Sequence, residues 1–305
     1  MDVKGKDQMK KQNSFMLLLS KIIAFKIRLL LRFRYKILVK GSEVFQNDSP
    51  VLILPNHQAL IDPVILLSQI YRFSDATAVI AEKYYNMPVL QSLFKRWGAI
   101  RVSDLEKGNR DTQVLKVITR SVVKGFRRKK NIVLYPSGQI AGQGYEKIFN
   151  KKSAYHIVKK LPEDVRVIGV RITGLWGSIW SKARTGKSPD FFIQLLKGIF
   201  YVVANLFFFL PKRTITIEFE DLTSFAKSKA LLGQKPFNSF LEDFYNLHGE
   251  ESPLFLKHFF YSRELKRKLP GKIYGSAREA QYEALPNDTC NAQLDRSEKS
   301  AGTLL

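Results

Sequence analysis

"VLILPNHQALIDPVILLSQI", residues 51–70, decides how the fold is read. Val51, Leu52, Ile53 and Leu54 form an unbroken apolar run stopped by Pro55, the signature of a short buried strand. Asp62-Pro63 then looks like a helix start, an aspartate N-cap with proline in the first turn, and the helix continues through about Ile70. The turn between strand and helix carries His57, five positions ahead of Asp62. On a continuous helix five residues sweep about 500°, so the two side chains would not share a face. Only the turn can bring them together. Asp62 would then accept a hydrogen bond from one ring nitrogen of His57 and leave the other free to take a proton from a hydroxyl. The plainer alternative is a capping aspartate and a loop histidine.

The same strand–helix rhythm continues outward. "ATAVIAE" (76–82), "AIRV" (99–102), "NIVLYP" (131–136), "RVIGVRIT" (166–173) and "RTITIEFEDL" (213–222) read as strands. Helices are predicted at 89–98, ending at Gly98, at 110–128 through Val114, Val117, Ile118, Val122 and Phe126, and at 153–161. Strands alternating with helices of this length predict an α/β fold, a mostly parallel central sheet flanked by helices. In such sheets active residues gather beyond the carboxyl ends of strands. His57, Arg101 and the Ser137-Gly138 pair all fall at or just after predicted strand ends.

The 305 residues, 45% of them hydrophobic, suffice for one large domain or two small ones. Lys and Arg outnumber Asp and Glu by 50 to 27, a net charge of +23 that implies an anionic partner or surface. Nucleic acid, anionic lipid and acidic carrier proteins all qualify. Basic runs such as "KGFRRKK" (124–130) would serve phosphates, but no nucleic-acid-binding motif accompanies them. The single cysteine, Cys290, precludes an internal disulfide, and four scattered histidines (His57, His156, His248, His258) predict no metal site. The apolar run at Phe15–Leu19 is too short for a signal peptide and lacks a small-residue cleavage site.

Two stretches look toward a membrane. Residues 15–40, "FMLLLSKIIAFKIRLLLRFRYKILVK", are greasy but carry Lys21, Lys26, Arg28, Arg32, Arg34 and Lys36, so a simple transmembrane helix is disfavoured. A basic helix with one apolar side suits the headgroup boundary; the alternative is a helix packed on the protein's own core. Residues 191–210, "FFIQLLKGIFYVVANLFFFL", are bracketed by Pro189 and Pro211 and interrupted by Lys197. For them a span, a half-immersed or re-entrant helix, and a buried core helix stay open. Trp176 and Trp180, four apart, would anchor at an interface, flank an acyl groove or pack in the core. The chain thus divides into a loose 1–14, an interfacial helix at 15–40, a main domain at 41–262, and a basic, mostly disordered tail at 263–305.

Four blocks in order carry a resemblance. "NHQALIDP" (56–63) resembles the first block, H-x-x-x-x-D, of the glycerolipid acyltransferase family, the 1-acylglycerol-3-phosphate acyltransferase type. "WGAIRV" (97–102) is similar to its second block, "LYPSGQI" (134–140) to its third, usually F-P-E-G-T-R, and "VIGVRI" (167–172) to its fourth. The resemblance makes 41–262 an acyltransferase domain and implies named roles. His57 would deprotonate the acceptor hydroxyl, Asp62 would orient it, and the oxygen would attack an acyl thioester, acyl-CoA or acyl-acyl carrier protein. No other cofactor is implied. Arg101 would hold a phosphate of the acceptor, since a guanidinium fork binds two oxygens at once. The third block departs from the pattern, with Ser137 in the glutamate slot and Gln139-Ile140 in place of Thr-Arg. Pro136 and Gly138 keep the turn, and Glu146 and Lys147 in "GYEKI" (144–148) stand near enough in sequence to substitute in binding the acceptor. "YPSGQI" and "GLWGSIWSKA" (174–183) resemble a bacterial subgroup related to the acyltransferase half of 2-acylglycerophosphoethanolamine acyltransferase/acyl-carrier-protein synthetases. That implies a larger or zwitterionic lysophospholipid, phospholipid synthesis or remodelling, and association with the cytoplasmic face of a bacterial inner membrane. A catalytically inert lipid-binding relative is the reading the altered third block leaves beside it.

Overall fold

A computed structural model describes residues 3–86, 91, 94, 99–102 and 112–263 of the chain. Most of the helix expected at 89–98, and the tail from 264 onward, lie outside the described residues. Seven strands form one sheet: β1 (Tyr35–Lys40), β2 (Val51–Pro55), β3 (Ala76–Ala81), β4 (Ile100–Val102), β5 (Asn131–Val133), β6 (Arg166–Thr173) and β7 (Arg213–Asp221). Their order is β1-β7-β6-β2-β5-β3-β4. Every neighbouring pair is parallel except β6 with β7. The expected α/β architecture with a mostly parallel sheet is therefore the observed one.

The unbroken apolar run of β2 follows from its central place, because both sheet faces are covered. Leu52 and Leu54 face a core shared with α4 (Thr112–Phe126), α5 (Ser153–Val158), α7 (Thr223–Leu232) and α8 (Gln234–Tyr245). Val51 and Ile53 face the opposite core, made with α1 (Val3–Arg34) and α2 (Asp62–Ile70). The short α3 (Glu82–Tyr85) follows β3 directly. The α7–α8 pair was not anticipated; its buried positions Ala226, Ala230, Phe237 and Leu241 are split in sequence by Gly233 and Pro236, which mask the helical period.

The reversal of β7 matters for function. Thr173 pairs with Thr216, Tyr35 with Arg213, and Pro55 with Val170. The amino ends of β1 and β7 therefore share an edge with the carboxyl ends of β2 through β6. The last turn of α1 and the segment leading into β7 arrive at the edge that carries His57.

Several sequence expectations are corrected here. The helix expected through residue 40 ends at Arg34, and "YKILVK" is β1, with Tyr35 buried and Lys36, Leu38 and Lys40 exposed. A short period-2 stretch was hidden inside a basic, apolar run. The helix also begins at Val3, inside the segment expected to be loose. It belongs to the domain on one side, where Ser20, Ala24 and Leu31 are buried and Arg28 donates to the Ser68 carbonyl at 2.6 Å. On its other side Leu18, Ile22, Phe25, Leu29 and Leu30 are exposed.

For residues 191–210 two of the three readings fall. They form α6 (Phe191–Ala204), whose amino end is capped by Asp190 accepting from the Ile193 N–H at 2.9 Å, followed by turns. None of its residues is buried, so it is not a core helix. Its 14 residues give a rise of about 21 Å against a hydrocarbon core of about 30 Å. Among the described residues no helix is long and apolar enough to cross a membrane. Leu206, Phe207, Phe208 and Phe209 follow, all exposed. Phe33 of α1 meets the rings of Phe207 and Phe208 at 5.8 and 6.4 Å, and Arg34 donates to the Pro211 carbonyl. The two greasy stretches, far apart in sequence, are neighbours. Trp176 and Trp180 are both buried and pack in the core.

Candidate active site

The loop between β2 and α2 is tied down residue by residue. Asn56 bridges to Ile172 of β6, its side chain donating to the carbonyl at 2.9 Å and accepting from the N–H at 2.7 Å. Gln58 accepts from the Leu175 N–H at 3.2 Å and donates to Glu251 at 2.6 Å. The Leu60 N–H donates to the Trp180 carbonyl at 3.0 Å. These bonds satisfy backbone groups that an irregular buried loop would otherwise leave unpaired.

Within that frame His57 and Asp62 come together, Nδ1 standing 3.0 Å from Oδ2. The same Oδ2 accepts from the Ala59 N–H at 2.9 Å. Asp62 is thus not the cap expected from its place: it is the first residue of α2, makes no side-chain capping bond, and turns its carboxylate back into the loop. Pro63 in the first turn costs no helix hydrogen bond there. Asp62 is fully buried, and burial pushes its carboxyl above the usual range; the hydrogen bond and charge of His57 and the N–H groups of Ala59 and Gln58 pull it back. A carboxylate accepting at Nδ1 fixes the tautomer with the proton there, which leaves Nε2 with its lone pair. The His57 side chain keeps 12% of its surface exposed.

The third-block turn packs directly on this pair. The Tyr135 ring lies 4.4 Å from the His57 ring, centroid to centroid. Gly138 sits at φ +65°, its N–H donating to the Tyr135 carbonyl at 3.1 Å, so the expected turn is present. Ser137 is buried and donates to the Gln139 carbonyl at 3.0 Å. Gly138 is exposed. Glu146 is buried, and its Oε2 accepts the main-chain N–H of His57 at 2.9 Å. Burial raises its carboxyl to about 8; the nearby Ser137 hydroxyl and the His57 N–H lower it, and Asp62 and Glu242 raise it. Lys147, the next residue, points elsewhere, with its ammonium 5.3 Å from the Tyr145 ring centroid and 5.9 Å from that of Phe149.

Arg101 is not brought to the pair. It lies on edge strand β4, three strands from β2, a lateral separation of about 14 Å. It is 56% exposed and paired with Glu82 at 3.3 Å. Sequence reasoning missed Asn56, Gln58, Tyr135 and Glu251. Asn56 and Gln58 flank His57 in "NHQ", but nothing local says that their partners come from β6 and from beyond it. No group of three or more His, Cys, Asp or Glu side chains that could hold a metal ion occurs among the described residues.

The arrangement can accept a proton at Nε2 of His57 while Asp62 steadies the resulting imidazolium. No curated protein sequence matches the chain. Among solved structures it is similar to the crystal structure of the 1-acyl-sn-glycerophosphate (LPA) acyltransferase PlsC from Thermotoga maritima. The identity is 17%, with 77% of this chain and 86% of that one covered at a TM-score of 0.47. Residues 36–173, which run from β1 to the end of β6 and include the whole His57 loop, match the family model described as Acyltransferase.

Proposed function

We propose that the protein is an O-acyltransferase that moves a fatty acyl group from a thioester to the free hydroxyl of a lysophospholipid. The observation that carries the reading is the His57–Asp62 pair, 3.0 Å apart, inside the segment matched by the acyltransferase family model. Nε2 of His57 takes the hydroxyl proton as the oxygen bonds to the acyl carbon. The tetrahedral species then collapses, the C–S bond breaks, and the imidazolium returns the proton to the departing sulfur. The acyl group arrives activated as acyl-CoA or acyl-acyl carrier protein, so the step balances without a further cofactor. A positioned base of this kind contributes about 10²–10⁴-fold in rate.

Arg101 is the candidate contact for an acceptor phosphate at the outer end of the site, exchanging its exposed Glu82 pair for the ligand. Gly138 is the member of the third-block turn open to substrate, whereas Ser137 and Glu146 face inward. The loss of the third-block arginine, with buried Ile140 in its place, favours an acceptor whose headgroup is larger or zwitterionic rather than a bare phosphate. The exposed apolar residues of α1 and α6, flanked by Lys21, Lys26 and Arg32, suit one leaflet of an anionic membrane on the cytoplasmic side.

The test is a panel of lysophospholipid acceptors offered with acyl-CoA and with acyl-acyl carrier protein, comparing the native chain with His57→Ala. Transfer that disappears with His57 supports the reading. Transfer that persists unchanged removes His57 from the chemistry, and liposome binding without transfer to any acceptor leaves a lipid-binding relative.

A further inference from the structure

Resting on the acyl-transfer reading, we infer that Glu146 is the positioning residue of the His57 base, holding it by the main chain rather than touching substrate. Both polar groups of the His57 peptide are gripped by one loop. The N–H donates to Glu146 Oε2 at 2.9 Å, and the carbonyl accepts from the Ala141 N–H at 2.6 Å. His57 is therefore fixed at its backbone by residues 141–146 and at its ring by Asp62 and Tyr135.

Glu146 is itself held from the far side of the molecule. Asn246, just past α8, accepts from the Glu146 N–H at 2.8 Å and donates to its carbonyl at 2.9 Å. Glu242 of α8 accepts from the Ile148 N–H at 2.6 Å. The carboxyl end of α8, some 190 residues from the catalytic loop, thus sets the height of the imidazole through two relays. Ser137 occupies the position where the resembling blocks carry glutamate, and its hydroxyl is turned to Gln139. The carboxyl that holds the histidine loop here stands nine positions further along the chain, at Glu146.

The surroundings explain why a carboxyl is tolerated there. Asp62, Tyr135, Glu242 and Tyr245 are the titratable groups that face Glu146, and His57 meets it through the main-chain N–H. Asp62 is the member stabilised as an anion by His57. A second anion beside it would be costly in so dry a place. A protonated Glu146 accepts through Oε2 without adding that charge. Oε1 of Glu146, Oδ1 of Asp62 and the Tyr135 hydroxyl are each buried with no hydrogen-bond partner among the described residues. One polar cluster thus surrounds the back of the histidine.

Three variants test the assignment: Glu146→Ala, Glu146→Gln and Asn246→Ala. A displacement of about 1 Å costs about 10²-fold in turnover, so Glu146→Ala lowers kcat by that order and leaves KM for the acceptor nearly unchanged. Glu146→Gln keeps a carbonyl acceptor for the His57 N–H, should retain most of kcat, and should lack the alkaline decline expected of the native chain near pH 8, where burial places the Glu146 carboxyl. Asn246→Ala gives an intermediate fall in kcat and covers the case in which Glu146→Ala does not fold. A rise in KM without a fall in kcat would make Glu146 a substrate contact and overturn the inference, as would unchanged kinetics. An independent readout separates this from failure of the acyl-transfer reading. The His57 imidazole resonances, identified by their absence in His57→Ala, shift or broaden in Glu146→Ala and not in Glu146→Gln. Imidazole signals unmoved in Glu146→Ala overturn the positioning role whatever the reaction is.

Discussion

The loop at 56–62 and the surface made by α1 and α6 lie at the same sheet edge and are built on opposite terms. In the loop, Asn56, His57, Gln58, Ala59, Leu60 and Asp62 each make a hydrogen bond to a defined partner, and the central carboxylate is fully buried. On α6 no residue is buried, Leu196 and Phe200 being exposed by 67% and 59%, and Phe208 in the turns just after it is exposed by 81%. A tightly bonded loop fixes atoms to within a fraction of an ångström, which proton transfer requires. An apolar surface this open on a folded chain marks an interaction site, and the proposed occupant, lipid, is apolar and shapeless. The sharpest break of this contrast is His57→Ala. Acyl transfer should fall about 10³-fold, in the range of a lost general base, while vesicle co-sedimentation stays at the native level. A variant that loses membrane binding together with activity would show that the two regions are not separable.

Asp62→Asn comes next. The amide offers a donor where Nδ1 of His57 needs an acceptor, so the imidazole adopts the wrong tautomer or turns away. The expected loss is about 10²-fold or more in kcat, with the acceptor KM nearly unchanged. Because Asp62 also holds the Ala59 N–H, a small fall in melting temperature accompanies it. A kcat within threefold of native on the same acceptor would return Asp62 to the plain role of a loop-closing residue.

The sequence made the inner part of this architecture legible and the outer part much less so. β2, α2, β3 and β6 declared themselves because central strands are continuously apolar and Pro55, Pro63 and the later turns mark their ends, and β7 declared itself by alternation. β1 did not. "YKILVK" continues the composition of the helix before it, and only its pairing with β7, 178 residues away, makes it a strand. At the site, His57 and Asp62 were visible as a spacing, but their meeting depends on Asp62 facing backward, against the usual habit of an aspartate at a helix start. Glu146 was visible as a charged residue near a broken motif. Its inward direction is set by Asn246, and no local pattern reports that. Arg101 was expected as the phosphate contact and Lys147 only as a stand-in for the altered third block, and the fold sends one to an edge strand and the other to an aromatic pair.

The membrane side of the contrast is sharpened by Leu196→Glu, Phe200→Glu and Phe208→Glu together. Burying a large apolar side chain is worth about 1.5–3 kcal/mol, so even partial insertion of three predicts a loss of about 10²-fold or more in vesicle affinity. Turnover on acceptor dispersed in detergent micelles should change little, since none of the three touches the His57 loop. Salt should release the native chain only in part. Complete release by salt alone would mean that the lysines and arginines of α1 hold the membrane and the apolar surface stays outside it.

The smallest expected effect is on stability, and it lies on the buried side. Glu146 titrates at about 8 in the folded chain against an ordinary value of 4.5. Between those values the folded state holds a proton that the unfolded state has released, so unfolding becomes easier as pH rises. The stabilisation is whole below about 4.5 and is lost as pH climbs through about 8. Its slope is at most about 1.4 kcal/mol per pH unit. Glu251, Glu242 and Asp62 are also raised by burial and add slopes of the same sign, so the native curve alone does not isolate Glu146. The difference between the native chain and Glu146→Gln does, because an amide does not titrate. From pH 5 to pH 8.5 the native melting temperature should fall further than that of Glu146→Gln, the gap opening as pH climbs through about 8. Parallel curves would mean that Glu146 is reached by water and ionises like a surface carboxylate, which would remove the reason for placing an acid beneath the histidine at all.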